Sequence, residues 1–314
     1  MDSRRRVQRP LFILLLCLIL MLTACSASSP ASNPVTEPQS QTDNIVHEAD
    51  SMSEIPEGTT LAIYFFDVGQ ANCAVAVFGE KAMMIDASDI GQDELVLGYL
   101  DQLGITEIDY LIATHPHADH IGSMASVVRN INVGLLLMPD AVHTTSVFTD
   151  LLNAVEQRET QVTVPEPGEV YTFGEGSFTI LAPDRAYEDL NNASIVIRLT
   201  FGSTAFLFPG DAEAESEAAQ LAAGHILSSD VLLVGHHGSD SSTTQSYLSA
   251  VSPDYAIISC GADNEYGHPH DEVQTRLHDI GADVLRTDLH GTVTIISAGH
   301  ALNVQSAKAT GLQA

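Results

Sequence analysis

The sequence predicts a mixed α/β (α+β) protein with many antiparallel strands, in which two sheets face each other and helices cover the outside. Three observations indicate this fold class. Apolar runs of strand length, separated by glycine-containing turns, open the folded part as a β meander. Amphipathic segments of helical length follow individual strands instead of forming a block of their own. Both halves of the chain show strands followed by helices, which predicts one sheet from each half.

The first half is predicted to form the first sheet and its helices. Gly79 and Glu80 turn the chain between the second and third strands, and Gly104 ends the first helix. The predicted elements are strands over 60–66, 73–78 and 81–85, a helix over 94–103, a strand over 108–113, a helix over 122–129, a strand over 134–138 and a helix over 147–158.

The second half is predicted to begin with two hairpins and to end with alternating strands and helices. Gly174 and Gly176 lie in the first hairpin turn, and Gly202 lies in the second. The predicted elements are strands over 170–173, 178–181, 195–199 and 204–208, a helix over 213–223, strands over 231–234 and 255–259, a helix over 272–280, and strands over 284–286 and 293–296. The folded domain is expected over 59–300, with a C-terminal tail over 301–314.

The N-terminus has the pattern of a secretory signal peptide over 1–24. Four arginines precede an apolar run over 11–22, which is too short for a comfortable membrane span. Cys25 directly follows Leu-Thr-Ala and resembles a bacterial lipobox, which implies cleavage before Cys25 and a lipid on its sulfur. The alternative is an uncleaved anchor helix. Either way we expect the folded part to lie at the cell membrane on the extracytoplasmic face, beyond a flexible Ser/Pro/Thr/acid stalk over 25–58.

Acidic residues dominate the composition, with 41 Asp and Glu against 12 Lys and Arg and a formal net charge of −29. Such a surface repels polyanions at long range. Tight non-specific binding of duplex DNA is therefore not expected, because it needs Lys and Arg to neutralise phosphates. Cys73 and Cys260 lie in apolar, strand-like surroundings and are expected to be buried free thiols, and a disulfide between them stays an open alternative.

A cluster of potential metal ligands follows the predicted strand over 108–113. His115 and His117 are two residues apart and can hold one metal ion, while Asp119 and His120 can turn toward a second. Imidazole and carboxylate together suit Zn²⁺ and its neighbours. The alternative is a polar loop with chance histidines, which is improbable for four potential ligands at this spacing.

The H-x-H-x-D-H loop over 115–120 resembles the signature of the metallo-β-lactamase superfamily. Further motifs in order resemble the extracellular hydrolase-like domain of ComEC competence proteins. These motifs are Asp67-Val68-Gly69-Gln70, Asn191-Asn192-x-Ser194, Pro209-Gly210-Asp211, His236-His237-Gly238-Ser239, Tyr266-Gly267-His268-Pro269-His270 and Arg286-Thr287-Asp288. The resemblance covers about 61–296 and implies a four-layer αββα sandwich. True ComEC proteins also carry a multi-span channel, whereas the lipobox-like pattern at Cys25 predicts a lipoprotein that carries only the hydrolase-like domain.

The resemblance implies two divalent metal ions, Zn²⁺ or alternatively Mn²⁺, bridged by Asp211. The alternative for Asp211 is an N-cap of the following helix. His236 or His237 would supply the last ligand of the second metal. His236 is weakly favoured because it lies nearer the strand end. Most superfamily members have a further first-metal histidine before Asp211, whereas this chain has none over 190–194. Asn192 is a candidate metal or substrate contact there, although an amide is a poor zinc ligand beside imidazole.

The implied mechanism is hydrolysis by a hydroxide held between two metals, with Asp119 and His268 as catalytic residues. His268 would bind phosphate or protonate the leaving oxygen, and its alternative is a rigid surface turn. Asp86 would orient His115 from behind, and Asp67 would support the site in the same way.

The implied activity is that of a phosphodiesterase or nuclease-like enzyme on the outer cell surface, acting on single-stranded nucleic acid. One alternative is an esterase for cell-wall choline phosphate on teichoic acid. Another is a degenerate, non-enzymatic binding domain, which the missing first-metal histidine would explain.

Overall fold

Two β-sheets form the centre of the computed structural model, which describes residues 60–308. The predicted signal peptide over 1–24, the lipid site at Cys25 and the stalk over 25–58 lie outside the described residues. No helix within 60–308 combines the length and the apolar character needed to cross a lipid bilayer.

The first half of the described chain forms six strands and four helices. In order these are β1 (Leu61–Phe65), β2 (Ala74–Phe78), β3 (Lys81–Ile85), α1 (Asp93–Gln102), β4 (Glu107–Ile112), α2 (Ala118–Ile121), α3 (Met124–Asn130), β5 (Asn132–Leu137), α4 (Ser146–Arg158) and β6 (Val162–Thr163). Strands β3 to β6 are parallel neighbours. Helices α3 and α4 lie in the connections between parallel strands, as parallel pairing requires long crossovers.

The second half begins with strands and ends with alternating strands and helices. In order these are β7 (Val170–Phe173), β8 (Gly176–Ala182), β9 (Val196–Phe201), β10 (Thr204–Phe208), α5 (Ala214–Ala223), β11 (Val231–Leu233), a 3₁₀ turn (Gly235–Gly238), α6 (Gln245–Val251), β12 (Tyr255–Ile258), α7 (Asp271–Asp279), β13 (Asp283–Arg286), α8 (Thr287–His290), β14 (Val293–Ser297) and β15 (Leu302–Ser306). Strands β10 to β13 are parallel.

The strands assemble into an eight-stranded sheet, ordered β15-β14-β1-β2-β3-β4-β5-β6, and a seven-stranded sheet, ordered β13-β12-β11-β10-β9-β8-β7. Three buried apolar clusters separate four layers. Alternate residues of β1 show this arrangement, because successive side chains of a strand point to opposite faces. Tyr64 packs in the cluster that contains residues of α1, α3 and α4. Phe65 lies between the sheets and stacks on Phe208 with ring centroids 6.0 Å apart.

The third cluster lies between the second sheet and helices α5 to α7, and contains Leu232, Tyr247 and Leu277. The order of layers is therefore helix, sheet, sheet, helix, which confirms the predicted αββα sandwich. Cys73 and Cys260 are both buried and free.

Some elements differ from those that the sequence predicts. The segment predicted as a C-terminal tail contains β15, which pairs antiparallel with β14 at the sheet edge. Leu302 and Val304 alternate with polar residues there, and two partly buried residues give only a weak strand pattern. The helix predicted over 122–129 is α3, which begins two residues later at Met124, and a separate short helix, α2, precedes it and was not predicted. Helix α6 and the short elements β6 and α8 were not predicted.

The polar motifs lie at the carboxyl ends of strands in both sheets. Strands β3 and β4 lead into Asp86 and the loop over 114–117, and β10 leads into Asp211. Strand β11 leads into the 3₁₀ turn, and β12 leads into the loop over 259–270. Parallel neighbours end at the same edge of their sheet, which brings these loops together.

Candidate metal centre

Asp86 fixes the start of the histidine loop from behind. Its buried carboxylate accepts hydrogen bonds from the Thr114 backbone N–H at 2.8 Å and from the Thr114 hydroxyl at 2.9 Å. His120 Nδ1 lies 2.7 Å from Asp86 Oδ2 and donates to it, so that His120 Nε2 points into the site. This corrects the predicted contact, because Asp86 orients His120 rather than His115. His115 Nδ1 instead lies 3.4 Å from the hydroxyl oxygen of Ser194.

Four side chains converge on one point that suits a divalent cation. Ligand atoms of Asp119, His120, Asp211 and His237 all lie within 4.8 Å of one another. His237 Nδ1 donates to the Ser259 carbonyl oxygen at 2.8 Å, which leaves His237 Nε2 free to face Asp119 Oδ2 at 3.2 Å. This is the arrangement of a metal-binding histidine, whose second nitrogen is fixed by a carbonyl or carboxylate.

Two buried atoms of this cluster have no hydrogen-bond partner among the described residues. They are His120 Nε2 and Asp211 Oδ1, which face each other at 3.2 Å. Burying polar atoms without a partner is costly, and a bound cation removes that cost for an imidazole lone pair and a carboxylate oxygen alike. The donor set therefore fits a divalent metal.

His237, and not the favoured His236, joins this four-residue cluster. Both residues follow β11 and both have left-handed backbone angles, with φ of 51° and 55°. Gly238 follows with φ of 86°, and a Cβ there would come within 2.5 Å of Pro269 Cβ. The turn between β11 and the 259–270 loop is thus tightly constrained, which directs His237 into the buried centre.

A second group of ligands lies on the other side of Asp211. His115 Nε2 is 3.0 Å from His117 Nδ1 and 3.9 Å from Asp211 Oδ2. Asp211 is 1% exposed and does not cap α5, whose N-cap residue is Glu213. Its carboxylate therefore lies between the two groups of ligands, where the predicted bridging residue belongs.

Asn192 does not extend into this group. Its amide oxygen accepts hydrogen bonds from the backbone N–H groups of Glu213 at 3.2 Å and Ser216 at 3.0 Å. The oxygen thereby satisfies two of the free donors at the start of α5. The predicted metal or substrate contact of Asn192 is replaced by a helix-capping role.

The electrostatic field of the centre favours cations. Burial alone would lower the pKa of His120, but the carboxylates of Asp211 and Asp86 raise it well above its usual value. Burial would likewise raise the pKa of Asp211, yet the neighbouring His120 and His237 hold it well below its usual range. Burial and the nearby His120 lower the pKa of His115. The carboxylates thus stay ionised, and a divalent cation would replace the protons that His120 and His237 carry.

His268 lies at the edge of the centre, with its ring 5.6 Å from that of His236 and 6.5 Å from that of His237. Its Nδ1 lies 3.3 Å from Gln70 Nε2, and Gln70 Oε1 accepts from the Gly261 N–H at 3.0 Å. Gln70 therefore donates to His268 Nδ1, which places the His268 proton on Nε2. Burial, reinforced by the nearby histidines, lowers the pKa of His268 to about 4.

Asp67 is not brought to the metal ligands. Its carboxylate lies 3.3 Å from the Lys308 ammonium, and its backbone oxygen accepts from the Tyr99 hydroxyl. Sequence reasoning also missed Glu213 and the roles of Ser194 and Gln70. Gln70 belongs to a motif that the sequence had already singled out, and Glu213 lies two residues after Asp211, so spacing alone could have raised both as candidates.

A buried cluster of histidines and aspartates at the strand ends of an αββα sandwich defines a metal-dependent hydrolase. The model of the metallo-β-lactamase superfamily matches residues 66–262. The chain belongs to this superfamily.

Several curated proteins resemble this chain. ComE operon protein 3 of Bacillus subtilis is 32% identical over 204 residues, which cover 64% of this chain and 26% of that protein. Recombination protein 2 of Haemophilus influenzae is 32% identical over 248 residues, covering 77% of this chain and 29% of that protein. Competence protein ComA of Neisseria gonorrhoeae is 29% identical over 243 residues, which cover 76% of this chain and 32% of that protein. The chain thus spans about a third or less of these relatives.

Solved structures share the fold. CmlA, a diiron β-hydroxylase from Streptomyces venezuelae, superposes with a TM-score of 0.52 at 17% identity, over 76% of this chain and 55% of CmlA. The metallo-β-lactamase fold protein YhfI from Bacillus subtilis superposes with a TM-score of 0.52 at 12% identity, over 76% of this chain and all of YhfI. These likenesses concern the fold alone.

Proposed function

We propose that this protein is a phosphodiesterase that uses two divalent metal ions, Zn²⁺ or alternatively Mn²⁺. The observation that carries the proposal is the position of Asp211. Its Oδ1 faces His120 at 3.2 Å, and its Oδ2 lies 3.9 Å from His115 Nε2. A buried carboxylate with histidines at both oxygens could hold a cation on each side.

Two divalent ions held by these residues would lower the pKa of a bound water toward about 7 and would neutralise charge on phosphoryl oxygens. The side chains supply orientation and hydrogen bonds. His268, whose pKa is lowered to about 4 and whose ring is therefore neutral at pH 7, can donate a hydrogen bond from Nε2–H to a phosphoryl or leaving oxygen, because Gln70 occupies its Nδ1. Asp119 lines the cleft beside the cluster together with Gln70 and Tyr266, where its carboxylate can orient the attacking water.

The cleft supports single-stranded nucleic acid as the proposed substrate. Tyr266 is 65% exposed and stacks on the His268 ring at 5.6 Å, which gives a flat aromatic surface for a base. The names of the relatives, which include competence and recombination proteins, agree with a nucleic-acid substrate.

A second candidate is choline phosphate, because the same cleft is acidic. Asp89, Asp263 and Glu265 line it beside Tyr266. Carboxylates and an aromatic face together favour a quaternary ammonium group. The same carboxylates disfavour a long duplex, whose phosphates they would repel.

The proposed location is the extracytoplasmic face of the cell membrane, with a lipid on Cys25 as the anchor. The basic and apolar pattern over 1–24 and the cysteine after Leu-Thr-Ala support this location.

Turnover of two defined substrates by the metal-loaded full chain tests the function. A single-stranded oligonucleotide and p-nitrophenylphosphocholine would be compared, each with Zn²⁺, with Mn²⁺ and with chelator. Metal-dependent cleavage of the oligonucleotide supports the first candidate, and release of p-nitrophenol alone supports the second. Metal binding without turnover of either substrate would contradict both and leave a binding domain.

A further inference from the structure

The group of ligands proposed for the first metal lacks a third imidazole. His115, His117 and Asp211 supply three positions of the first metal. Ser194 stands in the segment where the superfamily carries its additional histidine, and its hydroxyl accepts from the Asp211 N–H at 3.1 Å. Asn192 caps α5. Neither of these two side chains therefore supplies the fourth ligand.

We propose that His236 is the third imidazole ligand of the first metal and that Glu213 orients it. This inference rests on the proposed two-metal site. His236 Nε2 lies 3.7 Å from Asp211 Oδ2, the same oxygen that lies 3.9 Å from His115 Nε2. His237 Nε2 is also 3.9 Å from this oxygen, but its 3.2 Å contact with Asp119 places it in the other group of ligands. Two atoms bound to one zinc ion at about 2.0–2.1 Å lie roughly 3–4 Å apart, so these separations fit a shared ion.

The opposite nitrogen of His236 is held by an acidic network. His236 Nδ1 lies 3.3 Å from Glu213 Oε1 and 3.2 Å from the Ser241 hydroxyl oxygen. The Ser241 hydroxyl and the Asn191 amide both donate to the same Glu213 oxygen, at 3.0 and 3.3 Å. Nδ1 therefore faces acceptors and carries the proton, which leaves the lone pair on Nε2. A carboxylate behind a histidine in this manner is a regular feature of metal sites.

His143 is the competing histidine. Its ring lies 5.8 Å from the ring of His117, and its Nδ1 lies 3.1 Å from the hydroxyl oxygen of Thr145, the N-cap of α4. Within residues 60–308 no ion pair joins His143 to Asp211, whereas His236 has one. The structure thus favours His236, and His143 provides a matched control at the same site.

Zinc titration of the full chain tests this assignment without relying on activity. The chain would be stripped with chelator and titrated with Zn²⁺ in a calorimeter, and bound zinc would be counted after dialysis. The variants would be His236→Asn, His143→Asn and Glu213→Gln. Asn suits the left-handed backbone at 236, and that side chain is 23% exposed, so the fold should tolerate the change. A thermal melt checks folding.

The wild-type chain is expected to bind two zinc ions. Removing a residue that hydrogen-bonds to a metal ligand lowers metal affinity by about 10–100-fold. Glu213→Gln should therefore lower the affinity for one zinc ion by about 10-fold, and His236→Asn should lower it further. His143→Asn should leave both ions unchanged. The ion that His236→Asn retains should disappear when Asp119 is also replaced by Asn.

Two separate results would overturn the inference. Two ions at wild-type affinity in His236→Asn would overturn the assignment alone and leave the two-metal function standing. Loss of an ion in His143→Asn instead would assign the position to His143. Fewer than two ions in the wild-type chain would contradict both this inference and the two-metal function.

Discussion

Asp86 and Asp211 show how single carboxylates determine the chemistry of the histidines around them. Both are buried, at 1% exposure, and each follows directly or closely after a core strand. Asp86 fixes the outer nitrogen of His120, and Asp211 faces its inner nitrogen. His120 is therefore held between two carboxylates, with one nitrogen committed to structure and the other available for a metal.

Replacing Asp86 by Asn should lower the affinity for the second metal ion by about 10–100-fold, because His120 loses the carboxylate that orients it. Zinc affinity measured by calorimetry checks this. Asp67→Asn is the matched control, since Asp67 also follows an early strand but pairs with Lys308. Equal effects of the two variants would show that Asp86 does not act through His120.

Metal binding should release protons near pH 7. Carboxylates raise the pKa values of His120 and His237 in the metal-free chain, although burial opposes the shift. Zinc must displace the protons that these histidines carry. Zinc affinity should therefore rise with pH until both histidines are neutral. Calorimetry in two buffers of different ionisation enthalpy measures the release, expected to be about one proton or more. Identical heats in both buffers would disprove it.

The H-x-H-x-D-H loop and Asp211 could be predicted from the sequence, because each follows an apolar strand that fixes its place. The choice between His236 and His237 could not, since both residues have left-handed backbones that no strand or helix periodicity describes. The prediction that Asp86 orients His115 was wrong for a similar reason. His115 and His120 are both in reach of the strand end, and only the turn of α2 decides between them.

At the scale of elements, Gly122 lets the metal loop lie against the connection after β3. A Cβ at Gly122 would come within 2.1 Å of the Asp89 carbonyl carbon and 2.3 Å of the Ile90 nitrogen. These are backbone atoms and cannot rotate away. Gly122 and Ser123 also separate α2 from α3.

Gly122→Ala should destabilise the fold by about 1–3 kcal/mol, as overpacking does, and should lower zinc occupancy because α2 carries Asp119 and His120. Gly98→Ala in α1 is the control, because nothing lies within 4 Å of its added Cβ. It should stabilise the chain by about 0.5–1 kcal/mol. Thermal melts and the number of zinc ions bound per chain, measured for both variants, test this prediction. A Gly122→Ala chain as stable as wild type would contradict the packing argument.

The elements that the sequence predicted are those with strong apolar patterns. Strand β3 was predicted with its observed bounds, Lys81–Ile85, and α4 began one residue earlier than predicted. Helix α6 was missed although Thr244 caps it and Glu217 accepts hydrogen bonds from the Thr244 N–H and hydroxyl. That contact comes from α5 and depends on tertiary structure, which local periodicity does not reveal. Strand β15 was missed because its pattern is half polar.

At the scale of the whole molecule, charge separates the metal centre from the surface. The chain carries a formal net charge of −29, while the histidines of the metal centre lie at the strand ends. A surface of this charge repels long polyanions at a distance.

The metal-loaded chain should therefore retain a short single-stranded oligonucleotide more strongly than a duplex of the same length. A mobility-shift titration of the wild-type chain at physiological salt with phosphorothioate-linked oligonucleotides, which resist hydrolysis, measures this. Metal-free protein, which lacks the cations, should retain neither. Stronger retention of the duplex would contradict the role assigned to the acidic surface.

The most direct test of the central claim is the metal content of the purified chain, paired with hydrolysis of bis-p-nitrophenyl phosphate. The comparison is wild type against Asp211→Asn, which preserves the shape of the side chain but removes the bridging charge. We predict about two metal ions per wild-type chain, metal-dependent turnover, and loss of both an ion and turnover in Asp211→Asn. A wild-type chain that binds no metal, or an Asp211→Asn chain that keeps both ions and full turnover, would contradict the account.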